Sequence, residues 1–554
     1  MKYSGLIFLL LAAASPTWAV AACPANPLTA LAGPWTFNIQ VSPNGLDPGT
    51  YAITGIMNPS AGTDRAGNPI GILTINATSL VNHSPVRLET DTGRYQINAD
   101  CSGGTLTFNL SSRPMQYDFW FSADGLTMNI VSTTPGIPAI GLATRGPLGC
   151  PAGLTNPLNL LSGPYVFSLR SAWFAPILDP TATSYAIAGR FTASTGTDRG
   201  GNPIGLLSIT ATSQLATGAP STTTSVTRLE ADAGRFQINS DCSGGTLTFN
   251  LSSRPIQLQF YFRADLSTMD IISTTGPVSI GVARQAGPAG CPANALSVLS
   301  GPWTFNVQAN FQNGSRARPV PPADDNYAAT GQFVASIGTD RAGNAVGRLA
   351  LNATAVLDTS ITRLEGDVGS FQINDDCTGG TLTFNLSSRP QQYDFWFYDN
   401  KQSMYFVSTR DGQPFLGSAH VAPTGCPAGL GNNLNLLTGN WIFGVRPAWA
   451  VINHLDSLTQ AGTMTAAIGA DRANNPLGVL AITATSQNAF GSVTRLEGDA
   501  GRYTVNDDCS GGTLTFNLSS RPMQYQYYFR AGFQTFDVIS TSNIAIHSWG
   551  VFTR

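Results

Sequence analysis

The chain has little charge and almost no lysine. Charged residues make up 11% of its 554 residues, whereas roughly 25% is typical of soluble proteins. Lysine occurs only at Lys2 and Lys401, and the formal net charge is -3. Without a basic patch the sequence predicts no nucleic-acid partner. The scarcity of lysine also argues against Schiff-base chemistry.

Histidine is scarce as well. The four histidines, His83, His420, His454 and His547, occupy unrelated places in the chain. A Ser-His-Asp or Cys-His nucleophile and a histidine zinc site each need a histidine beside its partner groups. The sequence therefore predicts no catalytic residues, no metal ligands and no cofactor, and we expect the protein not to be an enzyme.

Long apolar runs are absent after the first residues. Lys2, the apolar stretch 6–14 and the small residues 19–21 are typical of a signal peptide, which we place at residues 1–22. No other segment approaches the roughly 20 apolar residues of a membrane span. We expect a secreted, periplasmic or cell-surface protein without a transmembrane span. Residues 20–23 also fit a lipoprotein signal, so a lipid anchor at Cys23 remains an alternative.

What the chain does have is one block repeated four times. The copies are NADCSGGTLTFNLSSRP at 98–114, NSDCSGGTLTFNLSSRP at 239–255, NDDCTGGTLTFNLSSRP at 374–390 and NDDCSGGTLTFNLSSRP at 506–522. Such self-similarity indicates tandem structural units, which we place at residues 23–149, 150–290, 291–425 and 426–554. Their short, proline-containing connections predict a compact or rod-like string of units. A feature found in every copy is more typical of the unit's fold than of a single active site.

The eight cysteines alternate between two classes. Cys23, Cys150, Cys291 and Cys426 each begin a Cys-Pro-Ala segment, and Cys101, Cys242, Cys377 and Cys509 each follow an aspartate in the repeated block. An even count in an exported chain indicates disulfides. Pairing across unit boundaries, Cys101 with Cys150 and so on, leaves Cys23 and Cys509 without local partners. We therefore predict one disulfide within each unit, and a turn in which Gly103 and Gly104 take positive φ and Asp100 caps.

Apolar residues alternate with polar ones in short runs, and no stretch has a helical repeat. The fourth unit contains eight or nine such runs bounded by Gly, Asn, Asp and Pro, the pattern of an antiparallel meander. Closure into a barrel hides the edges of such a sheet. We predict an all-β fold of four tandem antiparallel meander β-barrels with 8–9 strands each, and β-sandwiches are the alternative. Alternating aromatics such as Tyr117, Phe119 and Phe121 mark the interior, as core packing or as a ligand-lining wall.

The two ends of the units carry a family resemblance. Each unit opens with Gly-x-(Trp/Tyr)-x-Phe, and three units carry Arg on the last strand. This pattern resembles that of lipocalins and the wider calycins, in which the Arg packs over the Trp and closes the base of an eight-stranded barrel. The resemblance implies these closure residues: Trp35, Arg145, Tyr165, Arg284, Trp303, Trp441 and Arg554. The second unit departs from the pattern, because Arg284 lies three residues after its strand glycine instead of four, and a one-residue slip reverses a side chain's face.

A charged ladder recurs in every unit. Its members are Arg87, Glu89 and Asp91; Arg228, Glu230 and Asp232; Arg363, Glu365 and Asp367; and Arg495, Glu497 and Asp499. The spacing of two predicts that each triplet lies on one side of a strand. It would form a solvated or ion-paired outer face, or alternatively a polar cluster at the barrel mouth that binds a sugar or polar head group. Glycosidase carboxylates face each other across a sugar, so a polysaccharide hydrolase is the remotest alternative.

A second recurring segment, Gly-Thr-Asp-Arg-Ala-Gly-Asn at 62–68, superficially resembles a calcium loop. It lacks the further acidic ligands that a calcium ion needs. We predict a hairpin turn there and at its counterparts 196–202, 338–344 and 470–475.

These features favour an exported, non-enzymatic repeat protein. Its barrels would bind a small apolar or amphipathic ligand or a cell-envelope component. The alternative is a structural or adhesive surface protein with solid barrels. We expect function to lie where the units differ, in the loops 42–50, 171–184, 309–326 and 447–459, and the sequence predicts no particular oligomeric state.

Overall fold

The fold is described from a computed structural model. It covers residues 23–41, 52–81, 84–110, 113–134, 139–171, 183–217, 223–251, 254–275, 279–287, 290–309, 327–357, 360–386, 389–409, 415–447, 458–488, 493–518, 521–542 and 548–554. Most of the four predicted functional loops lies outside these ranges. Among the described residues no helix is long and apolar enough to cross a membrane.

The described chain forms thirty-two strands in four sets of eight. Barrel 1 contains β1 Trp35–Val41, β2 Ala52–Thr63, β3 Pro69–Val81, β4 Ser84–Ile97, β5 Gly103–Leu110, β6 Arg113–Phe121, β7 Thr127–Ser132 and β8 Ala139–Arg145. Barrel 2 contains β9 Gly163–Ser171, β10 Thr183–Thr197, β11 Pro203–Thr217, β12 Thr223–Ile238, β13 Gly244–Leu251, β14 Arg254–Phe262, β15 Thr268–Ser273 and β16 Ser279–Gln285.

Barrels 3 and 4 repeat the same order. Barrel 3 contains β17 Gly301–Ala309, β18 Tyr327–Thr339, β19 Ala345–Leu357, β20 Ser360–Ile373, β21 Gly379–Leu386, β22 Arg389–Tyr398, β23 Ser403–Ser408 and β24 Phe415–Val421. Barrel 4 contains β25 Gly439–Pro447, β26 Leu458–Ala470, β27 Pro476–Asn488, β28 Val493–Val505, β29 Gly511–Leu518, β30 Arg521–Phe529, β31 Thr535–Ser540 and β32 Ser548–Thr553.

Each set closes into an antiparallel barrel in which every strand pairs with its neighbours in sequence, and the first strand pairs with the eighth. In barrel 1 the closing register sets Trp35 opposite Arg145 and Phe37 opposite Ala143. Closure leaves no sheet edge exposed. The predicted all-β fold of four meander barrels is confirmed, with eight strands in each, and the sandwich alternative does not apply.

A short 3-10 helix and a disulfide close the base of each barrel. The helices are Pro27–Leu31, Pro157–Leu161, Ala295–Val298 and Asn433–Leu436. In barrel 1 the buried Leu31 lies under the core, and its carbonyl accepts a hydrogen bond of 2.9 Å from Trp35 Nε1. The disulfides are Cys23–Cys101, Cys150–Cys242, Cys291–Cys377 and Cys426–Cys509. This is the within-unit scheme, and such bonds are typical of an oxidising compartment such as the periplasm or cell exterior.

The turn that carries the second cysteine of each pair differs in detail from the prediction. Positive φ falls on the cysteine itself, at 55° in Cys101, and not on Gly103 or Gly104. Those glycines are required because strands approach closely: a Cβ on Gly103 would lie 2.0 Å from the Phe119 carbonyl oxygen, and one on Gly104 would lie 1.9 Å from that of Gln96. Asp100 caps the turn, accepting a 3.0 Å bond from the Ser102 amide. The two glycines of the repeated block are thus required by the close approach of neighbouring strands beside the disulfide.

The four barrels pack head to tail in a closed ring. Strands β1 and β2 contact β14 and β15, and strands β9, β10 and β11 contact β22, β23 and β24. Strands β17 and β18 contact β30 and β31, and strands β25, β26 and β27 contact β6, β7 and β8. The first strands of each barrel therefore lie on the last strands of the next, and barrel 4 returns to barrel 1. The units form a ring and not a rod-like string.

Each junction of the ring buries a small apolar cluster. Its members are Ala52, Leu80, Ile272 and Ile280 between barrels 1 and 2; Val166, Ala186, Ala188, Trp396, Tyr398 and Val407 between barrels 2 and 3; Ala328 and Ile539 between barrels 3 and 4; and Trp120, Val131, Ile442 and Ala461 between barrels 4 and 1. These side chains lie on the outer faces of the strands. Part of the outer face of each barrel is therefore an interface with the neighbouring barrels, and the rest is exposed surface.

Candidate functional site

The predicted closure residues lie at the barrel bases in two of the four barrels. The Arg145 guanidinium lies over the Trp35 ring at 4.2 Å, and that of Arg554 lies over Trp441 at 4.6 Å. Arg554 also donates bonds of 2.7 and 2.9 Å to the carbonyls of Leu436 and Thr438. These arginines therefore join the last strand, the first strand and the 3-10 helix of one barrel.

The other two barrels close differently. Arg284 does not lie over Tyr165: Gln285 is the residue opposite Tyr165, and Arg284 lies 5.4 Å from the Tyr398 ring of barrel 3. Its one-residue shift along β16 turns its side chain outward, which corrects its assignment as a closure residue. In barrel 3 the residue opposite Trp303 is Val421.

Aromatic side chains fill the barrel interiors. Ring centroids lie 5.0 Å apart for Phe108 and Tyr117 in barrel 1, and 5.2 Å apart for Phe260 and Phe262 in barrel 2. The Phe260–Phe262 pair is edge-on, whereas Phe108–Tyr117 is stacked, as are its equivalents Phe384–Tyr393 at 5.1 Å in barrel 3 and Phe516–Tyr525 at 5.3 Å in barrel 4. Eight strands enclose a lumen that side chains can just fill, and in the described residues these rings occupy it.

The charged ladder does not lie on one side of its strand. A β-bulge in β4 sets Arg87 opposite Thr78 but Asp91 opposite the buried Ile75, and each of the other barrels has a bulge at the corresponding place. The extra residue reverses the phase between the arginine and the second carboxylate. Arg228, Arg363 and Arg495 thus project outward, whereas Asp91, Asp232, Asp367 and Asp499 lie on the inner face. The side chains of Arg87, Glu89, Glu230, Glu365 and Glu497 lie outside the described residues.

Two ladder arginines act at the ring junctions. Arg228 of barrel 2 donates hydrogen bonds to the Asp394 carboxylate of barrel 3 from Nε at 2.8 Å and from Nη2 at 3.1 Å. Thr212 Oγ1 donates a further bond of 2.7 Å to the same carboxylate. Arg495 of barrel 4 holds Asp118 of barrel 1 in the same way. In place of the predicted sugar-binding cluster, these arginines join one barrel to another.

The other two junctions each contain a hydrogen bond from a threonine to a backbone carbonyl. Thr36 Oγ1 donates a bond of 2.5 Å to the Phe262 carbonyl, and Thr304 Oγ1 donates one of 2.5 Å to the Phe529 carbonyl. At the positions of Asp118 and Asp394, barrels 2 and 4 carry Gln259 and Gln526. Among the described residues, the two-bond Arg–Asp pairs thus occur at alternate junctions of the ring.

The recurring Asp-Arg-Ala-Gly-Asn segments are hairpin turns, as at 62–68 between β2 and β3. Asp64 Oδ1 accepts bonds from the amides of Ala66 and Asn68 at 2.8 and 2.9 Å. A hydrogen bond from the Asn68 side chain, together with these backbone bonds, lowers the pKa of the Asp64 carboxyl below its ordinary value. The carboxylate oxygens are thus taken up by the turn itself.

A cavity of about 380 Å³ lies at the centre of the ring, between the barrels. All four barrels line it, through the outer faces of their first strands and last two strands. Its lining includes Gln40, Gln308, Asp270 and the four arginines Arg170, Arg263, Arg446 and Arg530. In a chain with so few charges, four arginines at one cavity is a marked concentration.

One layer of the cavity is built from equivalent positions of the four first strands. These are Gln40, Arg170, Gln308 and Arg446, in ring order. Gln40 Oε1 accepts bonds of 2.6 Å from Arg170 Nη2 and 3.2 Å from Arg446 Nη1. Arg446 also lies over the Trp549 ring at 3.9 Å. Two diagonal barrels thus contribute guanidinium groups and the other two contribute amides.

A second pair of arginines is neutralised. Arg263 binds Asp270 through Nε at 3.1 Å and Nη2 at 2.9 Å. Arg530 binds Asp537 in the same two-bond arrangement, at 2.9 and 2.7 Å. Both aspartates are almost fully buried, so these pairs fix the walls of the cavity.

Nothing in the sequence alone predicts this cavity. The available signal was the alternation of Gln and Arg at the fifth residue after each Trp or Tyr of the repeated Gly-x-(Trp/Tyr)-x-Phe motif. Arginine on the outer face of a strand is ordinarily solvated. The alternation of Gln and Arg therefore indicates a binding site only when it is known that the ring turns these outer faces towards its centre. The loops predicted to carry function begin just after these residues, but lie mostly outside the described part of the chain.

No protein-family model matches this chain, and neither does any curated protein. Among solved structures, transferrin-binding protein B from Haemophilus parasuis Hp5 aligns at 9% identity over 77% of this chain and 82% of that one, with a TM-score of 0.15. An endo-1,5-alpha-L-arabinanase from Thermotoga petrophila RKU-1 aligns at 10% identity over 79% of this chain and 95% of that one, with a TM-score of 0.14. At such scores these likenesses assign no function.

Proposed function

We propose that this is an exported, non-enzymatic binding protein whose ligand site is the central cavity of the ring. The single observation that carries the proposal is the contrast between filled barrels and a cavity between them. Aromatic rings occupy the lumens where an apolar ligand would have to sit. The space between the barrels measures about 380 Å³, within the usual range of small-molecule sites.

The lining supports a polar ligand. Arginine, glutamine, asparagine and serine side chains surround the cavity together with apolar residues such as Leu142 and Val282. Such a mixture binds small molecules through a few directed hydrogen bonds on an apolar wall. The disulfide-closed barrels then serve as rigid supports for the site. In this proposal the four barrels share one polar ligand between them, whereas the sequence predicted an apolar or amphipathic ligand bound by the barrels themselves.

The test combines a ligand screen with a filled cavity. Native mass spectrometry and thermal shift would screen organic acids, sugars, amino acids, inorganic ions and fatty acids. We expect a polar compound to bind one per chain, and Leu142→Trp, which fills the cavity, to abolish the binding. Leu206→Trp is the matched control, because Leu206 is exposed on the outer surface of barrel 2. Stoichiometric lipid whose binding survives Leu142→Trp would instead place the ligand inside the barrels and overturn the proposal.

A structural or adhesive role is the second candidate. It is favoured by the same filled barrels and by the closed ring, which together make a rigid body with a neutral, hydroxyl-rich exterior. This candidate gains if no compound in the screen binds in a manner sensitive to Leu142→Trp, and if the protein adheres to surfaces equally well with and without that substitution.

A further inference from the structure

We propose that the central cavity binds a small oxyanion, as a free inorganic ion or as the acidic group of an organic molecule, between the guanidinium groups of Arg170 and Arg446. This inference rests on the proposed function and specifies the chemical class of its ligand.

Two positive groups converge on one neutral atom. Arg170 and Arg446 come from barrels on opposite sides of the ring, yet both donate to Gln40 Oε1, at 2.6 and 3.2 Å. Two like charges brought this close repel each other, and more strongly in a partly dehydrated cavity than in water. An anion between them removes the repulsion.

The described lining of the cavity carries more positive than negative charge. The aspartates beside the cavity, Asp270 and Asp537, are each bound by two hydrogen bonds to their own arginine. Within the described ranges, neither Arg170 nor Arg446 has a carboxylate partner. The cavity therefore holds two positive charges that nothing described compensates, in a protein whose formal net charge is -3.

Both arginines are held in place by neighbouring side chains. Gln40 fixes Arg170, and the Trp549 ring supports the flat guanidinium of Arg446 at 3.9 Å. Desolvation lowers the pKa of Arg170 to about 10, so the group stays charged at neutral pH. A fixed, planar guanidinium matches the two-oxygen edge of a carboxylate, sulfate or phosphate.

The other two barrels show which substitution would remove the site. Barrels 1 and 3 carry Gln40 and Gln308 where barrels 2 and 4 carry Arg170 and Arg446. The double variant Arg170→Gln/Arg446→Gln makes all four positions alike and uses a residue that the ring already accommodates. The matched control is Arg94→Gln/Arg502→Gln, because these arginines lie on the exposed outer faces of barrels 1 and 4.

The experiment is calorimetric titration of the full-length protein with sodium sulfate, phosphate and citrate, with glucose as the neutral probe. We expect the wild-type protein to bind at least one oxyanion, with affinity that falls as sodium chloride is raised. The double variant should bind about 100-fold more weakly or not at all, since each charge-assisted pair is worth a factor of ten or more. The control variant should bind normally. Inorganic ions and citrate separate a free-ion site from one that needs an organic acid.

A second measurement covers the case in which the double variant folds poorly. The melting temperature of the wild-type protein should rise with sulfate beyond the rise in sodium chloride of equal ionic strength, and Arg446→Gln alone should reduce that difference. The inference is overturned if no oxyanion binds or if the double variant binds as the wild type does. Binding of a neutral compound that Leu142→Trp abolishes, without oxyanion binding, overturns the inference but leaves the proposed function standing.

Discussion

Arg495 in the last barrel holds Asp118 in the first, across 377 positions of sequence, through two hydrogen bonds of 3.1 Å. Thr485 Oγ1 of barrel 4 donates a third bond, of 2.7 Å, to the same carboxylate. Asp118 is almost fully buried, whereas Arg495 is about half exposed. This contact joins the fourth barrel to the first, and it thereby helps to close the four consecutive barrels into a ring around the central cavity.

Removing the charge at this junction should loosen the ring. Asp118→Asn retains the shape of the side chain but loses the ion pair, and we expect it to cost about 2 kcal/mol, since hydrogen bonds to charged groups are worth about 1.5 to 3 kcal/mol. Urea denaturation monitored by tryptophan fluorescence measures the loss. Small-angle scattering should also show a larger radius of gyration for the variant.

Asp375→Asn is the control for that variant, because Asp375 is exposed on a turn of barrel 3. Its effect should stay within about 0.5 kcal/mol, as is usual for surface substitutions. Equal stability losses in the two variants, with no change in size, would show that the Asp118 contact does not hold the ring together.

A second prediction concerns the barrel base. Arg554→Met should destabilise the protein by about 2 kcal/mol, because it removes a cation–π contact with Trp441 and two charge-assisted hydrogen bonds, one to Leu436 in the 3-10 helix and one to Thr438 just after it. Arg502→Met, on the exposed outer face of the same barrel, is the control and should be nearly neutral. Thermal unfolding compares the two. Similar losses would mean that any arginine of barrel 4 contributes through charge alone.

The sequence predicts the individual barrels well because their determinants are local. Period-two alternation, the repeated turns and the even cysteine count all act within one unit, and they lead to eight strands and one disulfide per barrel. The shift of Arg284 relative to its strand glycine even indicates which arginine leaves the barrel base. Each of these signals can be read without knowing how the units pack.

The ring and its cavity could not be predicted in the same way. The bulge in β4 adds a residue that no alternation pattern reveals, and it separates Arg87 from Asp91. The partners of Arg495 and Arg228 lie in other barrels, so nothing near them in sequence identifies Asp118 or Asp394. Outer-face residues such as Gln40 and Arg170 have the composition of ordinary surface until the ring encloses them.

A third prediction uses two buried phenols. Neither Tyr117 nor Tyr393 has a hydrogen-bond partner for its hydroxyl among the described residues, and burial raises the pKa of both well above the ordinary value. An unpaired buried hydroxyl costs about 1 to 3 kcal/mol. We therefore expect Tyr393→Phe to leave stability unchanged or to raise it by about 1 kcal/mol, as measured by urea denaturation.

The matched variant is Tyr525→Phe in barrel 4. The Tyr525 hydroxyl lies 3.2 Å from Ser548 Oγ, so its removal should lose about 1 kcal/mol and leave the serine without that partner. A loss for Tyr393→Phe as large as that for Tyr525→Phe would show that a group inside barrel 3 binds the Tyr393 hydroxyl. That result would reopen the possibility of a ligand within the lumen.

The last prediction is an acid sensitivity of the junction between barrels 2, 3 and 4. His420 on β24 lies 2.9 Å from Ser403 Oγ and edge-on to the Tyr398 ring. Desolvation, followed by the nearby charges of Arg530 and Arg284, holds the pKa of the His420 imidazole well below its ordinary value of 6.5. The histidine therefore stays neutral in the folded protein at pH values where it would be protonated in the unfolded chain.

The direction of the pH effect follows from that difference. Above pH 6.5 the imidazole is neutral in both states and has no effect on the free energy of unfolding. As the pH falls below 6.5 the unfolded chain takes up a proton that the folded chain refuses, so stability declines by up to about 1.4 kcal/mol per pH unit. Urea denaturation at pH 7 and pH 5 should show a larger decline for the wild-type protein than for His420→Gln, which cannot take up the proton. Because the carboxylates titrate alike in both proteins, the difference between the two declines isolates His420, and equal declines would show that the histidine is protonated in the fold as readily as in the unfolded chain.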